Sequence, residues 1–349
     1  MTDSSQHAEG YDIRAVEAWI ASHVESLQPP FQWQRLEGGH SNLTYRITSA
    51  DGAVGVIRRP PRGELLPKAH DMSREWALIS ALGPTPVPVA AALGFCESPD
   101  ITGAWFYVMG HVDGRPLYSG DDAREWISQS QRLMLGESFI GVLAELHKLD
   151  PDSIGLGTLS KKDAYVTRQI KTWYRSWTSS AEVADYDDER THAIQQRLMR
   201  EMPEQGPARV VHGDYGLHNV LIDGHATVAA VVDWEISTLG DPLADLAYAL
   251  NQWAEPDDLL PVRDNAPTSI GGFHTRDALA HLYATRTGAD LSRLSYYTAF
   301  NWWKSACIVH GVYARYCAGQ KSTEGVDIDG LRERIGRYLT LSSRAMENA

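Results

Sequence analysis

The chain has 349 residues, 43% of them hydrophobic and 22% charged, which is typical of a globular protein with room for two lobes. Its formal net charge of −13 argues against a general nucleic-acid-binding protein, because neutralising phosphates requires a basic surface. No two of the three cysteines have Cys-x-x-Cys spacing, which predicts neither a disulfide framework nor a zinc knuckle. The first residues are polar, and no run of about 18 apolar residues occurs, so neither a secretory signal nor a membrane helix is predicted. We therefore expect a cytoplasmic protein without nucleic-acid or membrane partners.

The first third of the sequence predicts a sheet accompanied by two helices. Apolar residues at helical spacing predict a helix over residues 12–27, which ends before Pro29-Pro30. A second helix is predicted over residues 68–82, and Asp51-Gly52 predicts a tight turn between strands. The five predicted strands are 31–36, 43–48, 54–58, 91–95 and 105–111.

Two features of this part could face an anion. The hairpin at residues 37–42 contains two glycines and a Ser-Asn pair, which allow backbone amides and a hydroxyl to approach an anion closely. Such a hairpin is, by itself, usually only a turn. The third strand ends in Arg58-Arg59, of which strand alternation turns one inward, and Glu75 on the second helix could pair with Arg58. A solvent-facing basic pair is the alternative.

The pattern becomes helical after Asp113-Gly114. Helices are predicted over residues 126–149, 164–179 and 188–202, and the charged block 182–190 predicts a solvated loop. Residues 210–248 form a β-rich island within this helical part. The sequence therefore predicts an α+β protein with a boundary between a β-rich domain, residues 1–111, and a helical domain, residues 112–349.

The island carries the strongest chemical signal. Its apolar runs Val210-Val211 and 228–232 each end in a polar loop, the first with Asp214 and Asn219 and the second with Asp233. Phosphoryl transfer needs one carboxylate to orient and deprotonate a hydroxyl, and an amide and a second carboxylate to hold magnesium. Ordinary strand-connecting loops capped by Asp and Asn are the alternative. Alternation predicts that His218 faces away, so we do not expect a histidine metal site.

These motifs resemble the aminoglycoside phosphotransferase-like family of kinase-like small-molecule phosphotransferases. The likeness is stronger to the branch represented by the kinase-like domain fused to some eukaryotic acyl-CoA dehydrogenases. The motifs that carry it are GGHSNLTY at 38–45, LLPKAH at 65–70, FYVM at 106–109, HGDYGLHN at 212–219 and DWEISTLGDPLADLAY at 233–248. The resemblance implies a bilobal protein-kinase-like fold, with a small antiparallel β-sheet N-lobe and a large, mainly helical C-lobe.

The resemblance also implies ATP and Mg²⁺ as cofactors and assigns roles to individual residues. Asp214 would be the catalytic base, with Asn219 and Asp233 as catalytic magnesium ligands. Asp241 and Asp245 would fix the catalytic loop. The implied nucleotide-binding residues are Gly39, Ser41 and Asn42 over the phosphates, Arg58 as the strand cation, Glu75 as its partner, and Met109, Gly110 and Val112 in the hinge beside adenine.

Three departures from the protein-kinase pattern narrow the expected substrate. Arginine replaces the strand lysine at position 58, and it is a planar fork rather than a point donor. The middle residue of the catalytic loop is Gly213, so no arginine is present there to read a phosphorylated activation loop. Only a few residues separate Glu235 from Gly240, which leaves no room for an activation segment. We therefore expect a hydroxyl of a small molecule, not a protein, as the acceptor.

The acceptor itself stays open at this stage. The branch resemblance favours a hydroxyacyl-CoA-like substrate, for which a basic helix face at Arg168, Lys171 and Arg175 could bind phosphates. An aminoglycoside would instead need carboxylates, which Glu255, Asp257 and Asp258 could supply. A third possibility is a nucleotide-binding regulator with little transfer activity, because the usual strand lysine is missing. The aromatic residues of the helical part, which could hold an acyl chain, are more simply explained as helix core: Trp173, Tyr174, Trp177, Tyr296, Tyr297, Trp302 and Trp303.

Overall fold

The computed structural model describes residues 8–36, 42–61, 71–262 and 265–347. Its first part contains a five-stranded antiparallel sheet in which the last two strands of the chain order exchange places, so that the third strand pairs with the fifth and the fifth with the fourth. The strands are β1 (Phe31–Arg35), β2 (Leu43–Ser49), β3 (Val54–Arg59), β4 (Ala92–Cys96) and β5 (Phe106–Gly110), and the helices are α1 (Ile13–His23), α2 (Met72–Leu82) and α3 (Pro99–Thr102).

The sheet is covered by one helix on each face. Strand β2 alternates buried and half-buried residues along its length, as a strand packed on one face does. Helix α1 buries Val16 and Ile20 in a core that also contains Ile47 and Ile57 of the sheet. Helix α2 packs on the other side, and its buried residues Leu78 and Ile79, among others, belong to a core shared with the helical part. Helix α2 therefore connects the sheet to the rest of the molecule.

The second part is mainly helical and contains two small antiparallel sheets. Helix α10 is the most buried of its long helices and packs against α6, α8 and α11. The helices are α4 (Gly120–Trp126), α5 (Arg132–Lys148), α6 (Tyr165–Ala184), α7 (Glu189–Arg200), α8 (Pro242–Gln252), α9 (Arg276–Thr287), α10 (Leu294–Cys317) and α11 (Ile328–Glu347). The short strands are β6 (Arg209–Val211), β7 (Val220–Ile222), β8 (Val228–Val231) and β9 (Thr238–Gly240), which pair as β6-β9 and β7-β8.

The prediction of an α+β protein with an antiparallel sheet and many helices is confirmed, and the differences concern element ends. The helix predicted over residues 126–149 is wrong at its start, because α4 ends at Trp126 and α5 begins only at Arg132. Ile127 is extended, and a 3-10 turn separates the two helices. The first helix ends at His23 rather than at residue 27. The N-cap Asp71 starts α2 at Met72, while residues 68–70 lie outside the described part of the chain.

The block 182–190 is not a loop throughout, as its charge suggested. Helix α6 continues to Ala184, since Ala181, Val183 and Ala184 extend its pattern. Asp185 ends the helix with a positive φ of 45°, and Asp188 caps the start of α7. None of the helices in the described ranges is both long and apolar enough to cross a membrane.

Candidate active site

The two small sheets place two polar loops side by side. The first loop lies between β6 and β7 and contains Asp214, while the second lies between β8 and β9 and contains Asp233. Because Val220 of β7 pairs with Val231 of β8, the residue before β7 lies beside the residues after β8. The amide of Val232 accordingly donates to the carbonyl of Asn219 at 3.0 Å. The hairpin thus brings Asn219 and Asp233 together without any long-range contact.

Asp214 is held through both of its carboxylate oxygens. The amide nitrogen of Asn219 donates to Oδ2 at 3.0 Å. On Oδ1, the hydroxyl of Tyr248 makes a very short hydrogen bond, and Nε2 of His218 lies at 3.3 Å. The prediction that His218 faces away is therefore wrong, because residues 216–219 form a turn, where strand alternation does not apply. The ring of His218 lies so close to Gly216 that a Cβ there would be 2.5 Å from it.

These contacts keep the carboxyl group of Asp214 ionised. Burial raises its pKa, but the hydrogen bonds from His218 and Tyr248 and the positive charge of His218 outweigh burial and bring the pKa down to about 2. Such a group orients a hydroxyl well and is a weak proton acceptor.

Asp245 of α8 holds the backbone of the loop that carries Asp214 through hydrogen bonds. Its Oδ2 accepts from the backbone N–H of His212 at 2.6 Å, and its Oδ1 accepts from that of Gly213 at 2.8 Å. Gly213 has a φ of +85°, a conformation that favours glycine. His147 bridges from Tyr283 to Asp245 and, with the loop amides, keeps the pKa of Asp245 low in spite of complete burial. Asp241, by contrast, caps α8 and accepts a hydrogen bond from Tyr297.

Arg58 connects the sheet to the second polar loop. Its Nε lies 3.0 Å from Glu75, and Nη2 lies 3.0 Å from Asp233 and 4.0 Å from Glu235. Burial lowers the pKa of this guanidinium, but Tyr107 and the three carboxylates outweigh burial and raise it. Glu75 is itself buried, which raises its pKa despite Arg58. Two separate nitrogens of one planar guanidinium therefore bind two carboxylates, whereas a lysine would have to bind both from a single nitrogen.

Of the other residues predicted to bind the nucleotide, some lie near Arg58, some lie in the predicted hinge and some lie outside the described residues. Arg59 turns away from the site and binds the backbone carbonyls of Gly10 and Thr102, so Arg58 is the one of the two arginines that faces Asp233. Asn42 is buried and donates to Glu75 and Glu235, both at 3.4 Å. Gly39 and Ser41 lie outside the described residues. In the predicted hinge, Met109 and Gly110 end β5, and the N–H of Gly110 donates to the carbonyl of Ala91, while Val112 follows the strand.

The residues present fit a magnesium ion. Both side-chain hydrogen bonds of Asn219 use its nitrogen, which leaves the amide oxygen as the atom that can meet a cation. Asp233 supplies a carboxylate and has a positive φ of 63°, a rarely occupied conformation that fixes its direction. An amide oxygen and a carboxylate are ligands that Mg²⁺ prefers.

Sequence reasoning missed several residues at this site. Tyr248 lies three positions after Asp245, and that helical spacing could have placed it on the same face of α8. Lys304 and His147 come from α10 and α5, and no local pattern connects them to the loop. Glu255 and Asp258, which might have faced a cationic acceptor, both bind Arg276.

The fold and these loops define a class. A small antiparallel sheet followed by a mainly helical part, with two polar loops meeting between short strand pairs, is the architecture of kinase-like small-molecule phosphotransferases. The chain belongs to the phosphotransferase enzyme family, whose model matches residues 32–290. The predicted family and fold are thereby confirmed.

Relatives and solved structures agree with this placement. Acyl-CoA dehydrogenase family member 11 of Rattus norvegicus is 33% identical over 325 residues, which is 90% of this chain and 41% of that protein. Family member 10 of Mus musculus is 33% identical over 299 residues, or 84% of this chain and 27% of that protein. The chain thus spans less than half the length of either relative.

Among solved structures, a provisionally assigned aminoglycoside phosphotransferase from Ralstonia eutropha has a TM-score of 0.80 and 27% identity. The match covers 96% of this chain and 99% of that one. The aminoglycoside phosphotransferase APH(4)-Ia, solved with ADP and hygromycin B, has a TM-score of 0.60 and 15% identity over 95% of this chain and 98% of its own, which is evidence of a common fold.

Proposed function

We propose that the protein is an ATP- and Mg²⁺-dependent kinase that phosphorylates a hydroxyl group of a small molecule. The observation that carries the proposal is the meeting of Asp214, Asn219 and Asp233 in one site, with Arg58 joining Asp233 to Glu75. Magnesium, when bound, would neutralise charge on the nucleotide phosphates. Asn219 and Asp233 are the residues that would hold it.

The chemistry proposed for this site is direct transfer. The acceptor hydroxyl oxygen forms a bond to the γ-phosphorus, the bond from that phosphorus to the bridging oxygen of ADP breaks, and the hydroxyl proton passes to Asp214. A carboxylate with a pKa of about 2 suits this reaction, because a loose transition state demands positioning more than a strong base. Tyr248 and Asn219 hold the two oxygens of Asp214 so that the carboxylate cannot rotate.

Nucleotide binding is proposed for the space beside β5 and the second polar loop. Arg58 would contact the phosphates while keeping Asp233 and Glu75 in place. The backbone of Gly110 and Val112 would meet adenine, and the hairpin with Gly39, Ser41 and Asn42 would cover the phosphates. The complexes of APH(4)-Ia with ADP support nucleotide use, since the two proteins have a common fold.

For the acceptor, a hydroxyacyl-CoA-like molecule is the proposal that we favour. The relatives named acyl-CoA dehydrogenase family members support it, because their names connect the longer proteins that contain a similar domain with acyl-CoA chemistry. A cavity of about 530 Å³ is lined by Leu250 of α8 and Trp302 of α10, which give it apolar walls. Glu255, Asp257 and Asp258 also line this cavity, and Arg276 pairs with Glu255 and Asp258, which reduces the negative charge open to an aminoglycoside.

A nucleotide-binding regulator is less well supported. Its only argument was the arginine in place of lysine, and Arg58 makes both of the carboxylate contacts that the site requires.

The test is a turnover screen with Mg-ATP against hydroxyacyl-CoAs and aminoglycosides, combined with nucleotide calorimetry. We expect turnover of a hydroxyacyl-CoA, with Asp214→Ala losing turnover by several orders of magnitude while still binding nucleotide. Turnover of aminoglycosides alone would refute the acyl preference, and nucleotide binding without turnover of any acceptor would favour the regulator.

A further inference from the structure

Lys304 is a buried cation beside the proposed base. It lies on α10, is 7% exposed, and places its ammonium 5.6 Å from the centre of the Tyr248 ring. The hydroxyl of the same tyrosine holds Oδ1 of Asp214. Tyr248 therefore connects the ammonium to the reacting carboxylate through a single side chain.

The ammonium has little else to bind. Within the described ranges, it makes no ion pair within 4.0 Å and no hydrogen bond to a protein atom, although the charges of Asp245 and Asp214 act on it from farther away. Burial lowers the pKa of Lys304, as expected for an ammonium removed from water. An ammonium on a buried side chain that makes only a cation–π contact within the described residues keeps its hydrogen-bond donors for another group, which points to a ligand that it binds.

The two oxygens of Asp214 indicate which ligand this is. Oδ2 is bound by Asn219, a proposed magnesium ligand, so this oxygen lies on the nucleotide side. Oδ1 is bound by Tyr248, whose ring faces the ammonium of Lys304, so Lys304 lies on the side of Asp214 opposite the proposed magnesium ligand. The cavity lined by Leu250 and Asn251 of α8 and Trp302 of α10 adjoins the same two helices.

We propose that Lys304 binds an electron-rich oxygen of the acceptor, next to the hydroxyl that is phosphorylated. This inference rests on the proposed kinase function and specifies its substrate class: the acceptor carries a carbonyl, carboxylate or phosphate oxygen near its hydroxyl. A buried ammonium attracts such an oxygen and repels the ammonium groups of an aminoglycoside. Lys304 is thus a specificity residue as well as a binding residue.

The kinetic test compares wild type, Lys304→Met and Lys304→Arg with 3-hydroxybutyryl-CoA and hygromycin B as acceptors. We expect Lys304→Met to raise the KM for the thioester at least about tenfold, equivalent to roughly one lost charged hydrogen bond. Lys304→Arg restores part of the loss, and the Kd of Mg-ATP stays within about twofold. Lys148→Met, which removes an exposed lysine of α5, is the matched control.

The kinetic results distinguish a failure of the role proposed for Lys304 from a failure of the proposed kinase function. Turnover of hygromycin B with a KM that Lys304→Met leaves unchanged overturns the role of Lys304, while the kinase function stands. A weaker Kd for Mg-ATP in Lys304→Met also overturns it, because the ligand would then be a nucleotide phosphate. If wild type phosphorylates neither acceptor, the acceptor class assigned to this site is wrong, and the inference falls with it.

A stability measurement tests Lys304 without any acceptor. If the ammonium is kept for a ligand, replacing it with methionine leaves Tm unchanged or raises it, since an unpaired buried charge is removed. If Lys304 is only a counter-charge for Asp214 and Asp245, the same variant leaves those carboxylates uncompensated. A fall in Tm of more than about 4 °C in Lys304→Met, absent in Lys148→Met, therefore contradicts the inference.

Discussion

At the scale of single residues, the two oxygens of Asp214 have different neighbours. Oδ2 receives a hydrogen bond from an amide, whereas Oδ1 receives one from the phenol of Tyr248 and contacts His218. The residue is thereby fixed in rotation and kept ionised. We therefore expect the rate of transfer to depend more on the position of this carboxylate than on its basicity.

Removing the Tyr248 hydroxyl tests that positioning. We expect Tyr248→Phe to lower kcat about tenfold, because one hydrogen bond to a charged group is lost, with the Kd of Mg-ATP unchanged. Tyr215→Phe is the control, since among the residues that the structure describes the Tyr215 hydroxyl binds only the carbonyl of Phe139, 2.8 Å away. Steady-state kinetics on both variants decides, and an equal loss of kcat in the two would argue against a positioning role.

The pKa of Asp214 also predicts how stability changes with pH. The folded value of about 2 lies below the ordinary value of 3.8, so the ionised carboxylate stabilises the fold above about pH 4. That stabilisation is lost as the pH falls from 4 towards 2. Urea unfolding of wild type and Asp214→Asn should show a constant difference above pH 5 that narrows below pH 4. A difference that widens on acidification would contradict the pKa.

At the scale of elements, α8 carries three carboxyl or hydroxyl groups that act on different neighbours. Asp241 starts the helix, Asp245 holds the catalytic loop by its backbone, and Tyr248 holds Asp214. The helix is therefore the support on which the loop rests.

Removal of the Asp245 carboxylate tests this support. Asp245→Ala leaves the amides of His212 and Gly213 without an acceptor in a buried site, and we expect a loss of about 3 kcal/mol in the free energy of unfolding. Asp329→Ala, which removes an exposed carboxylate in the first turn of α11, should change it by less than about 0.5 kcal/mol. Denaturant unfolding measures the free energy of unfolding of both variants. Similar losses in Asp245→Ala and Asp329→Ala would show that Asp245 does not support the loop.

The relative positions of three polar residues of the site follow from local sequence, whereas the contacts made by residues on distant helices do not. The spacing of Asp214, Asn219 and Asp233 around short apolar runs predicts their proximity, because a β-hairpin brings its two ends together. The interactions of Tyr248, His147 and Lys304 depend on how α5, α8 and α10 pack, which no local pattern determines. The predicted direction of His218 is wrong because the alternation of side chains in a strand does not hold in a turn. Strands β7 and β9 were not predicted, although β6, which also has three residues, lies in one of the apolar runs named above.

At the scale of the whole molecule, Arg58 joins the sheet to the helical part. It leaves β3, pairs with Glu75 of α2 and reaches Asp233 in the second polar loop. Arg74 of α2 adds a second connection, to the carbonyl of Ser237. Nucleotide phosphates and magnesium would thus bind at a junction of three separate elements.

This junction predicts a double-mutant result. Arg58→Met leaves Glu75 buried without its partner, and we expect a loss of about 3 kcal/mol in stability. The double variant Arg58→Met, Glu75→Met should recover most of that loss, because an apolar pair replaces a buried ion pair. Equilibrium unfolding measures both, and calorimetry should find weaker Mg-ATP binding in each. Unchanged Mg-ATP affinity would contradict the proposed role of Arg58 in the nucleotide site.

We propose above all that Asp214 directs phosphoryl transfer to a small hydroxyl compound. The most direct test is the ATP-dependent phosphorylation of 3-hydroxybutyryl-CoA and related hydroxyacyl thioesters, followed by mass spectrometry of the acceptor. We predict a phosphorylated product with wild type and with Tyr215→Phe, and a rate at least about 1,000-fold lower with Asp214→Asn despite retained Mg-ATP binding. Equal product formation by wild type and Asp214→Asn would contradict the account.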